Sequence, residues 1–275
     1  MQEIKGRRVL ITGAASGIGL ATAIAFARAG ANLVLTDVDA DRLAEAQRTV
    51  SATGVGCIAQ IVDVVDEAAM ARFADVVAAE AGPVDVLINN AGIAYLGSFL
   101  DTPTAVWRRV LDVNVLGVVH GCRAFLPRMI AAGGTRRVVN IASAAGFAPA
   151  VNMTAYAASK YAVMGLSEVL AMELHGTGVG VTTVCPGIIN TDIVRHPGQN
   201  AASVWDEQLA RLQRYYRDHG ATPDVVAASI VEGVRDGREL ILVGPKARSS
   251  YHLKRFSRSL LQRLTRANSK QVGFC

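Results

Sequence analysis

Short apolar runs rich in Val, Ile and Leu alternate with longer Ala-rich stretches of helical period. That alternation constrains the fold more than any single motif. Residues 9–12, 32–37, 56–64, 84–89, 137–141, 179–185 and 240–243 read as strands. Residues 17–29, 39–53, 67–81, about 103–131, 155–175 and 223–235 read as helices between them. Strands that are apolar throughout are buried on both faces, and the intervening helices make right-handed crossovers. The pattern predicts a doubly wound α/β fold, one parallel sheet with helices on both sides. No internal repeat, low-complexity segment or Pro/Gly/Ser-rich linker marks a second domain.

Thr12-Gly13-Ala14-Ala15-Ser16-Gly17-Ile18-Gly19 follows the first strand directly and opens the first helix. Glycine permits φ > 0 in a tight turn and lets a phosphate approach the backbone. The helix start adds unpaired N–H groups and a partial positive charge. Such a unit suits a dinucleotide pyrophosphate; the alternative is a loop whose glycines only turn the chain. Asp37 ends the second strand, where a carboxylate accepts from adenosine ribose hydroxyls and repels a 2′-phosphate. Its alternative role is to cap the helix beginning near residue 39. Ser16 and Val38 bring no cation to neutralise a phosphate, so the residues favour NAD over NADP.

Tyr156 and Lys160 stand at i and i+4 of a predicted helix and share a face. A nearby ammonium favours the phenolate, moving the tyrosine pKa down towards neutrality. The pair can then exchange a proton with a carbonyl or alcohol oxygen. Alone, YxxxK recurs by chance as a solvated surface pair. Ser143, at the end of the predicted strand 137–141, adds a hydroxyl at the crevice edge that could hold a substrate oxygen. It also reads as an ordinary turn or cap serine. Asn89-Asn90-Ala91-Gly92 follows the fourth strand with small and amide residues that can hold a loop beside a nucleotide. Asn114 falls mid-helix, which marks a backbone irregularity, a buried water or a satisfied core amide.

In order and spacing these residues resemble the short-chain dehydrogenase/reductase family, in its shorter branch. The matching motifs are TGxxxGxG at 12–19, Asp63-Val64, NNAG at 89–92, Asn114, Ser143, YxxxK at 156–160 and Pro186-Gly187-Ile188-Ile189-Asn190-Thr191. They cover roughly residues 5–245. The resemblance implies a seven-stranded Rossmann-like sheet and a catalytic tetrad of Asn114, Ser143, Tyr156 and Lys160. In it Tyr156 is the general acid/base and Ser143 positions substrate. Lys160 contacts the nicotinamide ribose and lowers the tyrosine pKa, and Asn114 holds a water linking Lys160 to solvent. Asp63 is expected near the adenine, Asn90 near the ribose, and Ile188 and Thr191 near the carboxamide. Val64, Ala91, Gly92, Pro186 and Gly187 complete the expected cofactor contacts. The implied activity is hydride transfer between NAD(H) and a secondary alcohol or ketone. The alternative is a non-catalytic nucleotide-binding or scaffold member. Homodimers or homotetramers built on the two long helices are also implied.

Residues 188–221 break the strand–helix rhythm and read as a substrate lid. Trp205, Tyr215 and Tyr216, with Tyr95, Phe147 and Met153, suggest an apolar substrate, or else anchors between lid and core. The lid cations Arg195, Arg211, Arg214 and Arg217 are offset by Asp206, Glu207 and Asp218. The net charge is +5, but eight Lys and Arg follow Glu239, the last acidic residue. The basic surplus therefore belongs to residues 246–275, an extension beyond a catalytic domain at 1–245. It does not mark the domain as nucleic-acid binding. Leu253, Phe256, Leu260 and Leu264 recur at helical spacing there, as a basic amphipathic helix. Such a helix either touches anionic membrane peripherally or packs on protein. No apolar run reaches the ~20 residues of a membrane span. Cys57, Cys122, Cys185 and Cys275 are far apart with no CxxC pair. They read as small buried hydrophobes of a reducing cytosol rather than a disulfide or zinc framework, and the cytoplasm is the expected location.

Overall fold

The apolar runs form a sheet because their side chains leave water on both faces. In the computed structural model, which describes residues 3–194, 200–271 and 273, seven strands pair in parallel in the order β3-β2-β1-β4-β5-β6-β7. These are β1 (Arg8–Thr12), β2 (Asn32–Asp37), β3 (Cys57–Ile61), β4 (Val86–Asn89), β5 (Arg136–Ile141), β6 (Val179–Pro186) and β7 (Leu240–Val243). Between them run α1 (Gly17–Arg28), α2 (Ala40–Ser51), α3 (Glu67–Ala81), α4 (Thr104–Leu111), α5 (Gly117–Ala131), α6 (Thr154–Glu173), α7 (Asp206–His219) and α8 (Pro223–Asp236). The period-two pleat sends neighbouring residues to opposite cores. Val9 and Ile11 of β1 join Phe26, Leu33, Val226 and Ile230 on one face. Leu10 joins Phe73, Leu87, Phe125 and Val163 on the other.

The expected doubly wound sheet is thus observed. β1 pairs with β2 on one side and β4 on the other. The order of strand addition therefore reverses there, opening a crevice at the carboxyl ends of both strands.

Three elements differ from expectation. The third strand ends at Ile61, because the Asp63 carboxylate accepts the Val65 N–H at 3.1 Å and turns the chain out of the sheet. The helix expected over about 103–131 is interrupted by a π-helical turn, Asp112–Leu116, that contains Asn114. The basic extension forms two helices, α9 (Ala247–Phe256) and α10 (Arg258–Gln271). They break at Ser257, whose extended backbone lets its hydroxyl accept the Leu260 N–H at 3.2 Å.

Thr104–Ala131 is long and apolar enough to cross a bilayer by length and composition alone. Half of its most apolar window is buried within the protein, as in a core helix. There Phe125 meets Phe73 of α3 edge-to-face, centroids 5.8 Å apart. Phe73 is fully buried, so Phe73→Ala should destabilise the protein by about 3–5 kcal/mol in equilibrium denaturation. A loss below about 1 kcal/mol would mean that this core collapses around the cavity.

Candidate active site

The glycine turn depends on the absence of side chains at two positions. Gly13 has φ +63°, and a Cβ there would stand 2.8 Å from Ala91 Cα. A Cβ on Gly19 would stand 2.0 Å from the Gly13 carbonyl oxygen. Asn90 staples the turn to the end of β4, its Nδ2 donating to the Thr12 and Gly13 carbonyls at 2.9 Å each. Asp37 braces the other side, accepting from Ala15 N–H at 2.9 Å, Val38 N–H at 2.8 Å and Asp39 N–H at 3.1 Å. Capping of α2 falls to Asp39, which accepts from Arg42 N–H. Asp37 is thus a brace for the turn rather than the helix cap.

Behind this turn lies a cavity of about 1070 Å³. That is at the upper end of the ~300–1,000 Å³ of a single small-ligand site, so a dinucleotide and a second molecule have room side by side. Gly13, Ser16, Gly17, Ile18, Asp37, Asp63, Val64, Asn90, Ala91 and Gly92 line it, with Ser143, Tyr156, Lys160, Pro186, Gly187, Ile188 and Thr191. Gly19 and Asn114 do not reach it. Gly19 is packed against the turn, and Asn114 is buried behind Ile93. The first N–H groups of α1 lack intrahelical partners, and the Ser16 side chain does not cap them. These free donors, a helix dipole and the close backbone fit a pyrophosphate.

Tyr156 and Lys160 of α6 are both buried at the inner wall. Burial pushes the Tyr156 phenol above its usual range, and a hydrogen bond with the Ser143 hydroxyl draws it part of the way back. Burial lowers the Lys160 ammonium to about 8. Its Nζ donates to the Ile141 carbonyl at 2.9 Å and lies 5.6 Å from the Tyr156 ring centroid. The expected lysine-driven fall of the tyrosine pKa is absent from the cofactor-free protein. Desolvation dominates, and the ammonium is itself weakened.

Asn114 explains the π turn. Its Oδ1 accepts the Ile93 N–H at 2.8 Å, and its Nδ2 donates to Ile93 O and Ser159 Oγ at 2.9 Å each. Ser159 Oγ in turn donates to the Tyr156 carbonyl at 2.7 Å. The carboxamide thereby ties the loop after β4 to the helix that carries Tyr156 and Lys160. Ile93, Ile141 and Ser159 act through a hydroxyl or main-chain atoms, so no side-chain motif signals them.

The outer part of the cavity is apolar. Ala94, Leu96, Met153, Ala201, Val204 and Leu212 form a third buried cluster with Tyr156. Met153, Tyr215 and Tyr216 line the cavity; Tyr95, Phe147 and Trp205 do not. Trp205 is exposed, and Phe147 packs edge-to-face on Tyr251 of α9. Arg211 and Arg217 pair with Glu207 and Asp218, as the lid's charge balance implied, while Arg195 lies outside the described residues. Cys57, Cys122 and Cys185 are free thiols, and Cys275 lies outside the described residues. The described residues contain no cluster of His, Cys, Asp and Glu suited to a metal.

The basic extension roofs the far end. Leu253 of α9 and Leu261, Leu264, Thr265 and Asn268 of α10 line the cavity. Lys246, at φ +64°, pins the roof by donating to Tyr215 OH and Asn268 Oδ1 at 2.7 Å each.

Comparison with known proteins agrees with this geometry. The short chain dehydrogenase family model matches residues 7–202. A Mycobacterium tuberculosis relative named as the oxidoreductase SadH is 37% identical over 97% of this chain and 96% of its own length. Another from the same organism, named as the oxidoreductase EphD, is 40% identical over 90% of this chain. The chain spans only 42% of the length of EphD. A short chain dehydrogenase/reductase from Burkholderia phymatum, crystallised in complex with NAD, superposes with a TM-score of 0.87. It is 34% identical, covering 94% of this chain and 96% of that one. The chain belongs to the short chain dehydrogenase family and has its Rossmann-like fold.

Proposed function

We propose that the protein is an NAD-linked dehydrogenase of apolar secondary alcohols, or reductase of the matching ketones, with Tyr156 as general acid/base. The observation that carries this reading is that Tyr156, Ser143 and Lys160 line the same cavity as the glycine turn. The bound nicotinamide supplies the hydride acceptor or donor. The chain supplies the rest. The Tyr156 and Ser143 oxygens hold the substrate oxygen; Tyr156 as phenolate takes the alcohol proton, and in the reverse direction the phenol gives its proton to the carbonyl oxygen. Lys160 holds positive charge beside the phenol and offers donors to a ribose. Asn114 keeps both residues in register through Ser159. Gly13, Ser16, Gly17 and Ile18 are assigned to the phosphates, with Gly19 as the packing glycine beneath them. Asp63, Val64, Asn90, Ala91, Gly92, Pro186, Gly187, Ile188 and Thr191 are assigned to the rest of the cofactor.

The Asp37 carboxylate favours NAD, because a 2′-phosphate beside it would be repelled. Arg42 also lines the cavity but faces Asp39 at 3.5 Å, which offsets its attraction for a phosphate. The apolar cluster around Tyr156 favours an apolar substrate. Residues 1–245 form the catalytic domain and 246–275 the extension that closes it. An apolar recess of Val119, Cys122, Leu126, Ile130 and Val169 on α5 and α6 suits the contact of a homodimer or homotetramer. The free thiols suit the cytoplasm.

Tyr156→Phe should cut kcat by about 10²–10⁴-fold in an alcohol screen with NAD, with the NADH dissociation constant unchanged. Retained turnover would overturn the mechanism; wild-type NADH binding without turnover on any alcohol would favour the binding-only alternative. Asp37→Asn, which keeps shape but loses charge, should narrow the NAD/NADP preference in kcat/KM by about tenfold. An unchanged ratio would remove Asp37 from cofactor choice.

Lys160 allows a further check. Its pKa in the fold is about 8, below the usual 10.5, so the buried ammonium costs stability below about pH 8. That cost fades as pH rises towards 10.5, where the unfolded chain loses its proton too. Lys160→Met should therefore abolish turnover yet raise the Tm of the cofactor-free protein by a few degrees at pH 7. The gain should shrink by pH 10. A lower Tm at pH 7 would show that the ammonium is stabilising where it lies.

A further inference from the structure

The two C-terminal helices face two environments. Leu261 is turned inward, but Phe256, Leu260 and Leu264 are 89%, 43% and 52% exposed. They recur at four-residue intervals within nine residues of chain. Arg255, Arg258, Arg263, Arg266 and Lys270 are exposed among them. Among the described residues none of these five cations pairs with a carboxylate. From residue 240 onward the sequence contains no Asp or Glu at all.

Elsewhere on the surface several cations are matched: Arg123 faces Glu67, Arg128 faces Asp75, and Arg238 faces both Glu232 and Asp236. The extension has no carboxylate of its own to match its cations, and it also leaves large apolar side chains in water. A single exposed leucine needs no explanation, nor does a single arginine. The two together, on helices without counter-charges, suit a partner that is apolar within and anionic at its surface.

We propose that the outer face of α9 and α10 docks on an anionic lipid bilayer. Phe256, Leu260 and Leu264 enter the interface, and the arginines lie among the headgroups. A nucleic-acid surface fits less well, because single-strand binding needs successive aromatic platforms between the cations. Here Phe256 stands alone, since Tyr251 is packed against Phe147. A second copy of the same face would bring like charges together. Leu264 also belongs to the cavity wall beside Leu253 and Leu261. Docking therefore sets one wall of the substrate cavity against the bilayer, a route for an alcohol dissolved in lipid. That last consequence rests on the apolar-substrate reading; the docking itself does not.

Co-sedimentation of the full chain with phosphatidylcholine vesicles, with and without 30% phosphatidylglycerol, tests the proposal in about 0.1 M NaCl. The protein should pellet only with the anionic vesicles and be released at about 0.5 M NaCl. Arg258→Glu/Arg263→Glu should lower the partition constant by about 30-fold or more. Phe256→Ser/Leu260→Ser should lower it by roughly tenfold. These positions are exposed, so Tm and NADH affinity should stay at wild-type values in both variants. No pelleting with either vesicle, equal pelleting with both, or variants that pellet like wild type would overturn the proposal. So would variants that change only the sedimenting mass without vesicles, which makes the face a contact between copies. Retention by a DNA duplex in place of vesicles would overturn it as well.

Discussion

A buried ammonium is the constraint around which the candidate site is arranged. Lys160 Nζ is held out of water beside Tyr156, and an ammonium in such a place survives only if its donors are satisfied and its surroundings rigid. The Ile141 carbonyl takes one donor from the end of β5. Asn114 fixes the adjacent turn of α6 through Ser159, and its own position depends on a π turn that an unbroken helix would not provide. A methyl on Gly92 would lie 3.3 Å from Asn114 Oδ1 and 3.5 Å from Lys160 Nζ. The small residue after β4 is therefore part of the same arrangement. Sheet, π turn and glycine loop all converge on the place where one cation sits.

That convergence explains why the fold was legible in the sequence and the electrostatics was not. Apolar strands such as Val9-Leu10-Ile11 and Asn32–Asp37 declare themselves through composition, because burial on two faces leaves little choice of residue. The glycine turn is legible for a similar steric reason, as Gly13 and Gly19 have no room for a Cβ. The tyrosine pKa is another matter. The i, i+4 spacing correctly placed Lys160 beside Tyr156, but spacing carries no information about desolvation. Desolvation sets the direction for both groups. Asp37 and Asn90 are expected at a nucleotide site from the sequence, and both line the cavity. Their bonds to Ala15 N–H and to the Gly13 carbonyl depend on how the first turn folds back, which a linear pattern does not contain.

The aromatic residues illustrate the same limit. Side-chain type pointed to Trp205, Tyr215, Tyr216, Tyr95, Phe147 and Met153 as substrate contacts or as anchors of the lid. Met153, Tyr215 and Tyr216 line the cavity, together with Leu212 and Leu253, and the other three do not. Which apolar residue meets the cavity is decided by where the backbone places it, not by the residue's size. Ser257 is a comparable case. Apolar spacing ran through it as one helix, but an extended backbone with a capping hydroxyl makes it a break.

That break also gives the extension two faces. A single straight helix continuing from β7 could lie along the domain or leave it. Two helices meeting at Ser257 let α10 return over the cavity, where Asn268 meets Tyr215 and Lys246. The left-handed backbone of Lys246 costs about 1 kcal/mol where glycine would cost nothing. What the lysine provides in exchange is the cation that joins the turn after β7 to α7 and α10. In this arrangement α10 buries Leu261 and leaves Leu260 and Leu264 partly exposed. The inner contact that closes the site and the outer face that stays apolar are two results of one backbone turn.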